Sequence, residues 1–154
     1  MSISVATDAS LKGFGGHWGT SFVMGEFPQD WKSLDIEALE MYAVLALMGS
    51  FADKFRDRVV LLHCDNEALV YCLNKLTSSN KKVMLFMRPY VLILLTLNIM
   101  VRVIHVRSEE NPISDSLSRL QVAKTRALLP GLDQRPTPVP ESLRPHNWKI
   151  GSRF

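Results

Sequence analysis

With 154 residues, 47% of them apolar, the chain has the length of one ordinary domain and enough hydrophobic content for a real core, which excludes global disorder. The formal net charge of +3 is unevenly placed. Acids and bases nearly balance through residue 119, and the excess positive charge lies in 120–154, so net charge alone is no argument for a nucleic-acid partner. Two cysteines, Cys64 and Cys72, are too few for a disulfide framework. Without a secretory leader they read as reduced thiols of an intracellular protein, cytoplasmic or nuclear. The most apolar run, residues 83–97, is interrupted by Arg88-Pro89 and is too short to span a bilayer, so no membrane partner is expected.

The chain opens on Ile3-Ser4-Val5-Ala6-Thr7-Asp8-Ala9-Ser10, whose β-branched residues favour a buried strand. That strand ends in an acid, a costly placement unless something pairs with it. Gly13-Phe14-Gly15-Gly16 reads first as a turn and second as a close approach of another backbone. With His17-Trp18-Gly19 and Ser21 to Met24 it suggests an antiparallel meander. Residues 35–51 form the clearest helix, capped by Ser33 or Asp35, with Ile36, Leu39, Ala43, Leu47 and Phe51 at helical spacing. Glu40 borders that stripe, and Glu37 lies one turn earlier.

Val59 to Cys64, followed by Asp65-Asn66, repeats the opening pattern: an apolar run ends in an acid and a helix begins at Glu67. Strand then helix suggests a parallel neighbour for the first strand. Two such strands bring Asp8 and Asp65 to one edge, where their repulsion demands a proton or a cation. Residues 81–97 read as a helix interrupted near Pro89, and residues 99–106 as a strand that includes His105. Pro112 starts a helix expected to run to about Val122, with Asp115 in its first turn. From Lys124 onward five of the eight prolines and scattered basic residues describe an extended tail, giving a domain over 1–122 and a tail over 123–154.

Four acids stand at element boundaries: Asp8, Glu40, Asp65 and Asp115. Hard oxygen donors in this number suit Mg²⁺ or Mn²⁺. In this order the chain resembles the ribonuclease H family. Thr7-Asp8-Ala9-Ser10 with Gly13 to Gly16 is similar to its first acidic motif, and Leu39-Glu40-Met41-Tyr42-Ala43-Val44 to its helical Glu motif. Cys64-Asp65-Asn66 is similar to the third acidic position. His105 through Asn111 to Asp115-Ser116-Leu117-Ser118-Arg119 resembles the closing motif. Its Asp-x-Leu-Ser-Arg ending most resembles ribonuclease H domains of tyrosine-recombinase (DIRS/Ngaro-like) retroelements. The chain departs from many retroelement relatives at Arg107-Ser108, where they have Pro-Gly, and lacks an evident basic protrusion.

The resemblance implies an α/β fold with a five-stranded mixed sheet, three antiparallel then two parallel strands, flanked by helices. It implies hydrolysis of the RNA strand of an RNA–DNA hybrid, with an adjacent reverse-transcriptase domain as a candidate partner. Two Mg²⁺ ions, replaceable by Mn²⁺, would be held by Asp8 and Asp65 with Glu40 and Asp115 completing the shell. Glu40 would also meet a 2′-hydroxyl, the group that separates RNA from DNA. His105 would act as a proton shuttle or in product release. Ser10, Asn66, Asn74 and Asn111 are candidates for sugar and phosphate contacts, although turn or cap chemistry explains each one alone. Lys75, Lys81 and Lys82 are candidates for DNA-strand phosphates. A second reading is a ribonuclease-H-like module that binds or scaffolds without cutting.

Overall fold

The computed structural model describes residues 2–150. Three strands, β1 (Ile3–Ala9), β2 (Gly13–Trp18) and β3 (Ser21–Glu26), form an antiparallel meander. Two more, β4 (Val59–Cys64) and β5 (Met100–His105), run parallel to β1, giving the order β3-β2-β1-β4-β5. Such parallel strands need a crossover, and helices supply it. The expected five-stranded mixed sheet is therefore observed. Among the described residues, no helix is long and apolar enough to cross a membrane.

The first crossover is α1 (Ile36–Ser50), followed by the short α2 (Ala52–Phe55). Of the two candidate caps, Asp35 is used: its carboxylate accepts from the Ala38 amide at 3.2 Å. The helix is buried on every side from Ala38 to Met48, not along one stripe. The sheet covers one flank, and α4 (Lys81–Leu97) and the C-terminal segment cover the others. Phe14, Phe27, Trp31 and Phe86 each meet the Tyr42 ring edge to face around the first half of the helix, and Phe27 stacks on Trp31. The expected interruption at Pro89 does not occur; α4 carries the proline in an unbroken helix that ends on Asn98 in the left-handed region.

The glycines of residues 13–16 are not a turn. They lie within β2, and close backbone approach is what they permit. A Cβ on Gly15 would stand 2.5 Å from Leu117 Cβ and 2.7 Å from the Ser118 amide nitrogen, both on α5 (Pro112–Ser118). Gly15 thus lets α5 lie directly on the sheet. Gly15→Ala is expected to push α5 outward and cost about 1–3 kcal/mol, the usual range for overpacking, read as a lowered urea midpoint.

The helix expected over 112–122 is two helices. It breaks after Ser118, turns through Leu120 at φ 62°, and resumes as α6 (Val122–Leu128). The boundary placed after residue 122 therefore falls inside a helix. Beyond it the chain is extended, but it lies along the body. Leu132, Val139 and Ile150 are buried, the Tyr42 hydroxyl donates to Leu143 O at 2.7 Å, and the Asp133 and Thr137 amides donate to Thr20 O and Phe22 O beside β3. Residues 151–154 of the expected tail lie outside the described residues. At the other edge, Asn74 on α3 (Glu67–Lys75) pairs through both amide atoms with Val103 N and O on β5. Both sheet edges are thus covered where they could recruit another strand.

Candidate active site

Asp8 occupies the penultimate position of β1, and Asp65 follows the last residue of β4. The parallel register pairs Ala6 with His63, so two residues further on Asp8 stands opposite Asp65. Glu40 reaches the same edge from α1, and its Oε1 accepts from the Ala9 amide at 3.2 Å. One carboxylate oxygen from each of the three lies within 4.8 Å of the others. Asp8 and Glu40 are each only 4% exposed.

Like charges this close, removed from water, resist ionisation. Burial is the main reason that Glu40 is pushed up to about 10, and the Asp8 charge adds to it. Asp8 is pushed up to about 7, again chiefly by burial, with Asp65 and Asp115 contributing. Asp65 is raised too, mainly by burial, and is held back by a hydrogen bond from Ser108. Cys64, beside them, is raised first by burial and then by the Glu40 charge, which leaves it an inert thiol.

The second oxygen of Glu40, Oε2, is buried with no donor group of the chain against it, and Glu40 and Asp8 can hydrogen-bond only by sharing a proton between their carboxyls. A buried acceptor with nothing donating to it costs stability, and a cation would remove that cost. The donors are all carboxylate oxygens, the set preferred by Mg²⁺ and Mn²⁺. The residues present therefore fit a divalent metal.

Of the four expected acids, the fold gathers three. Asp115 stands in the first turn of α5, partly exposed, with its Oδ1 3.1 Å from Arg119 Nε. It is outside the close trio, yet near enough that its charge raises both Asp8 and Asp65. His105 ends β5 opposite Cys64, exposed and with no hydrogen-bond partner among the described residues.

The polar candidates have structural employment. Ser10 Oγ donates to Ser118 O at 2.8 Å and accepts from the Lys12 and Gly13 amides, tying the β1–β2 turn to α5. Asn66 caps α3 through Leu69 N, and Asn74 is the edge cover described above. Asn111, almost fully buried, donates to Thr7 O at 3.0 Å. Lys75 sits over the Tyr71 ring at 4.4 Å, Lys82 donates to Ser33 O at 3.0 Å, and Lys81 is exposed. Ser108, a neighbour of Asp65, is not among the sequence candidates; its one sequence signal is that Arg107-Ser108 stands where many retroelement relatives have Pro-Gly.

No protein-family model matches the chain, and no curated protein matches it. Solved structures do. Ribonuclease H1 from the halophilic archaeon Halobacterium salinarum NRC-1 superposes with a TM-score of 0.66 at 12% identity, covering 80% of this chain and 98% of that one. This chain has the ribonuclease H fold. LC11-RNase H1, isolated from compost by a metagenomic approach, matches with a TM-score of 0.52 at 19% identity over 82% of this chain and 98% of that one. The same LC11 enzyme in complex with an RNA/DNA hybrid gives 0.55 at 18% identity, over 82% and 99%. Identities this low establish the architecture. In the ribonuclease H fold of this chain, the acidic trio occupies the edge where β1 and β4 end.

Proposed function

We propose that the chain is a divalent-metal-dependent endoribonuclease that hydrolyses the RNA strand of RNA–DNA hybrids. The observation that carries this reading is the trio Asp8, Glu40 and Asp65, drawn from two strand ends and a helix into one cluster, Asp8 and Glu40 buried and Asp65 half-buried, with no donor group of the chain against Glu40 Oε2. Folds do not fix functions, so the argument rests on this site. The likeness to a ribonuclease H1 bound to an RNA/DNA hybrid supports the substrate class.

Asp8, Asp65 and Glu40 would hold the metal, Mg²⁺ with Mn²⁺ as substitute, and Asp115 would complete a two-ion shell. Bound there, the metal supplies Lewis-acid stabilisation of charge on the phosphate and its leaving oxygen and makes water more acidic. The chain does the rest. Asp8 and Asp65 set a negative edge that repels a bare phosphate and accepts one only when neutralised. Glu40 presents a carboxyl able to accept from a 2′-hydroxyl, the contact that selects RNA. Asp115 joins when its carboxylate leaves Arg119, an exposed pair that holds it weakly. His105, exposed beside the edge, carries protons to and from solvent. Lys75 and the Asn66 amide are left to meet backbone phosphates.

The closing segment, with its Asp115-Ser116-Leu117-Ser118-Arg119 run, supports a place within or derived from a retroelement polyprotein of the tyrosine-recombinase group. An adjacent reverse-transcriptase domain would then be its partner. The setting would be cytoplasmic or nuclear. The test is cleavage of a labelled hybrid beside single-stranded RNA and duplex DNA of the same sequence, in Mg²⁺ and in Mn²⁺. Internal cuts in the RNA of the hybrid alone are expected. Tight hybrid binding without cutting in either metal would replace this reading with the non-cleaving module.

A further inference from the structure

A cavity of about 390 Å³ lies between the β1–β2 turn, the 3-10 turn Gln29–Ser33 and the start of α1. None of the acidic trio lines it. Its size falls within the ~300–1,000 Å³ usual for small-molecule sites. Phe27, Trp31, Leu34 and Leu39, all buried, wall it, and the Phe27 and Trp31 rings stack with centroids 5.6 Å apart. The walls are held by the backbone. The Phe27 amide donates to Lys12 O and the Leu34 amide to Trp31 O, each at 3.0 Å. A ligand would therefore enter a largely preformed space, with little ordering left to oppose binding.

The lining leaves three needs unmet. Leu11 is 77% exposed, so its apolar surface lies open beside the aromatic walls. Trp31 is buried, yet its Nε1 hydrogen has no acceptor among the described residues. A buried indole usually finds one, and a donor left open costs stability that a ligand acceptor would restore. Lys12 and Lys32 also line the cavity, and no acid does. Both are exposed, and among the described residues neither ammonium is in an ion pair.

We propose that this cavity binds a small apolar acid, a flat aromatic body carrying one anionic group. The body lies against Phe27, Trp31 and Leu11, and burial of its apolar surface supplies most of the affinity. The anion is met by Lys12 and Lys32, which select acids over neutral molecules of the same shape. Exposed ion pairs are weak, so this selection amounts to about 2- to 5-fold for each lysine. The site is separate from the metal-binding edge but touches the segments that position it. Leu39 precedes Glu40, and the Ala9 amide that Glu40 accepts from leads into the turn carrying Leu11 and Lys12.

The experiment is titration of the nitrogen-15-labelled whole chain with 2-naphthoate, and in parallel with the uncharged 2-naphthamide. Both are done in chelator, so that no metal at the carboxylates can draw the acid there, and no hybrid is present. Saturable movement of the assigned Trp31 indole signal is expected, with those of Trp18 and Trp148 as references. The amide should bind about 4- to 25-fold more weakly than the acid, the product of the two lysine contributions. The exposed double variant Lys12→Glu/Lys32→Glu should lose more than about tenfold for naphthoate and stay within about twofold for naphthamide. An unmoved Trp31 signal, or non-saturating movement shared by all three indoles, would overturn the site. Equal binding of acid and amide, or undiminished naphthoate binding by the double variant, would overturn its preference for acids.

Discussion

Asp65→Asn is expected to reduce cleavage of the RNA strand by at least about 10³-fold while leaving the fold and hybrid binding in place. The amide matches the carboxylate in shape and can still accept the hydrogen bond from Ser108. What it loses is a unit of negative charge and an oxygen able to hold a hard cation. The metal-free protein should not suffer, because Asp65 raises both Asp8 and Glu40 and its neutralisation relieves them. Melting in chelator is thus expected to be unchanged or slightly higher, as for other strained functional sites. Single-turnover cleavage and circular-dichroism melting of the same sample decide the matter. Variant cleavage within tenfold of the original would remove Asp65 from the chemistry and the proposed mechanism with it.

The order of elements was legible because each carried its own period and punctuation. Val59 to Cys64 is a continuous apolar run ending in an acid, and the same pattern in β1 made the parallel pair readable. The misreadings are instructive because they are local rules overridden by contacts. Glycine usually marks a turn, but at residue 15 the deciding neighbour is Leu117, about a hundred positions away. Proline usually ends a helix, but at residue 89 burial of Met87, Tyr90 and Leu94 on both sides holds α4 together. Leu120 offered no warning of a left-handed break, because leucine rarely adopts one. From Lys124 onward composition describes an extended tail, yet composition cannot say that Leu132, Val139 and Ile150 have a surface to cover.

At the site, the carboxylates were legible as residue types at element ends, and their assembly depended on register. Asp8 and Asp65 meet because β1 and β4 are paired at Ala6 and His63. Glu40 is legible as an acid bordering the apolar stripe, one step from Leu39, and its burial follows from α1 being enclosed on every side. Asp115 shows where the reading stopped: spacing placed it on the right helix, but Arg119 four residues later competes for its carboxylate. Ser10, Asn74 and Asn111 were legible only as polar side chains; which backbone groups they serve is a tertiary fact.

Metal-free protein is expected to lose stability as pH rises from about 5 to 8, and Mg²⁺ should restore it most at the upper end. Glu40 stands at about 10 and Asp8 at about 7 in the fold, against ordinary values of 4.5 and 3.8. Between those limits the native state holds protons that the unfolded chain has released. Stability falls wherever the native state binds the more protons, so the slope is negative over this window. Counting one retained proton, the loss is about 1.4 kcal/mol per pH unit, and each kcal/mol lowers Tm by about 2–4 °C in a chain of this size. The Asp8 contribution fades above about pH 7, where its folded form ionises, while that of Glu40 continues toward 10. Divalent metal competes with those protons, so its stabilisation, which grows with the logarithm of its concentration over Kd, is larger at pH 8 than at pH 5. Glu40→Gln, which carries no titrating proton, should flatten much of the slope. Melting curves in chelator and in Mg²⁺ across this range check both parts: a slope of opposite sign, or one that survives intact in Glu40→Gln, would mean that the carboxyls do not share a buried cluster.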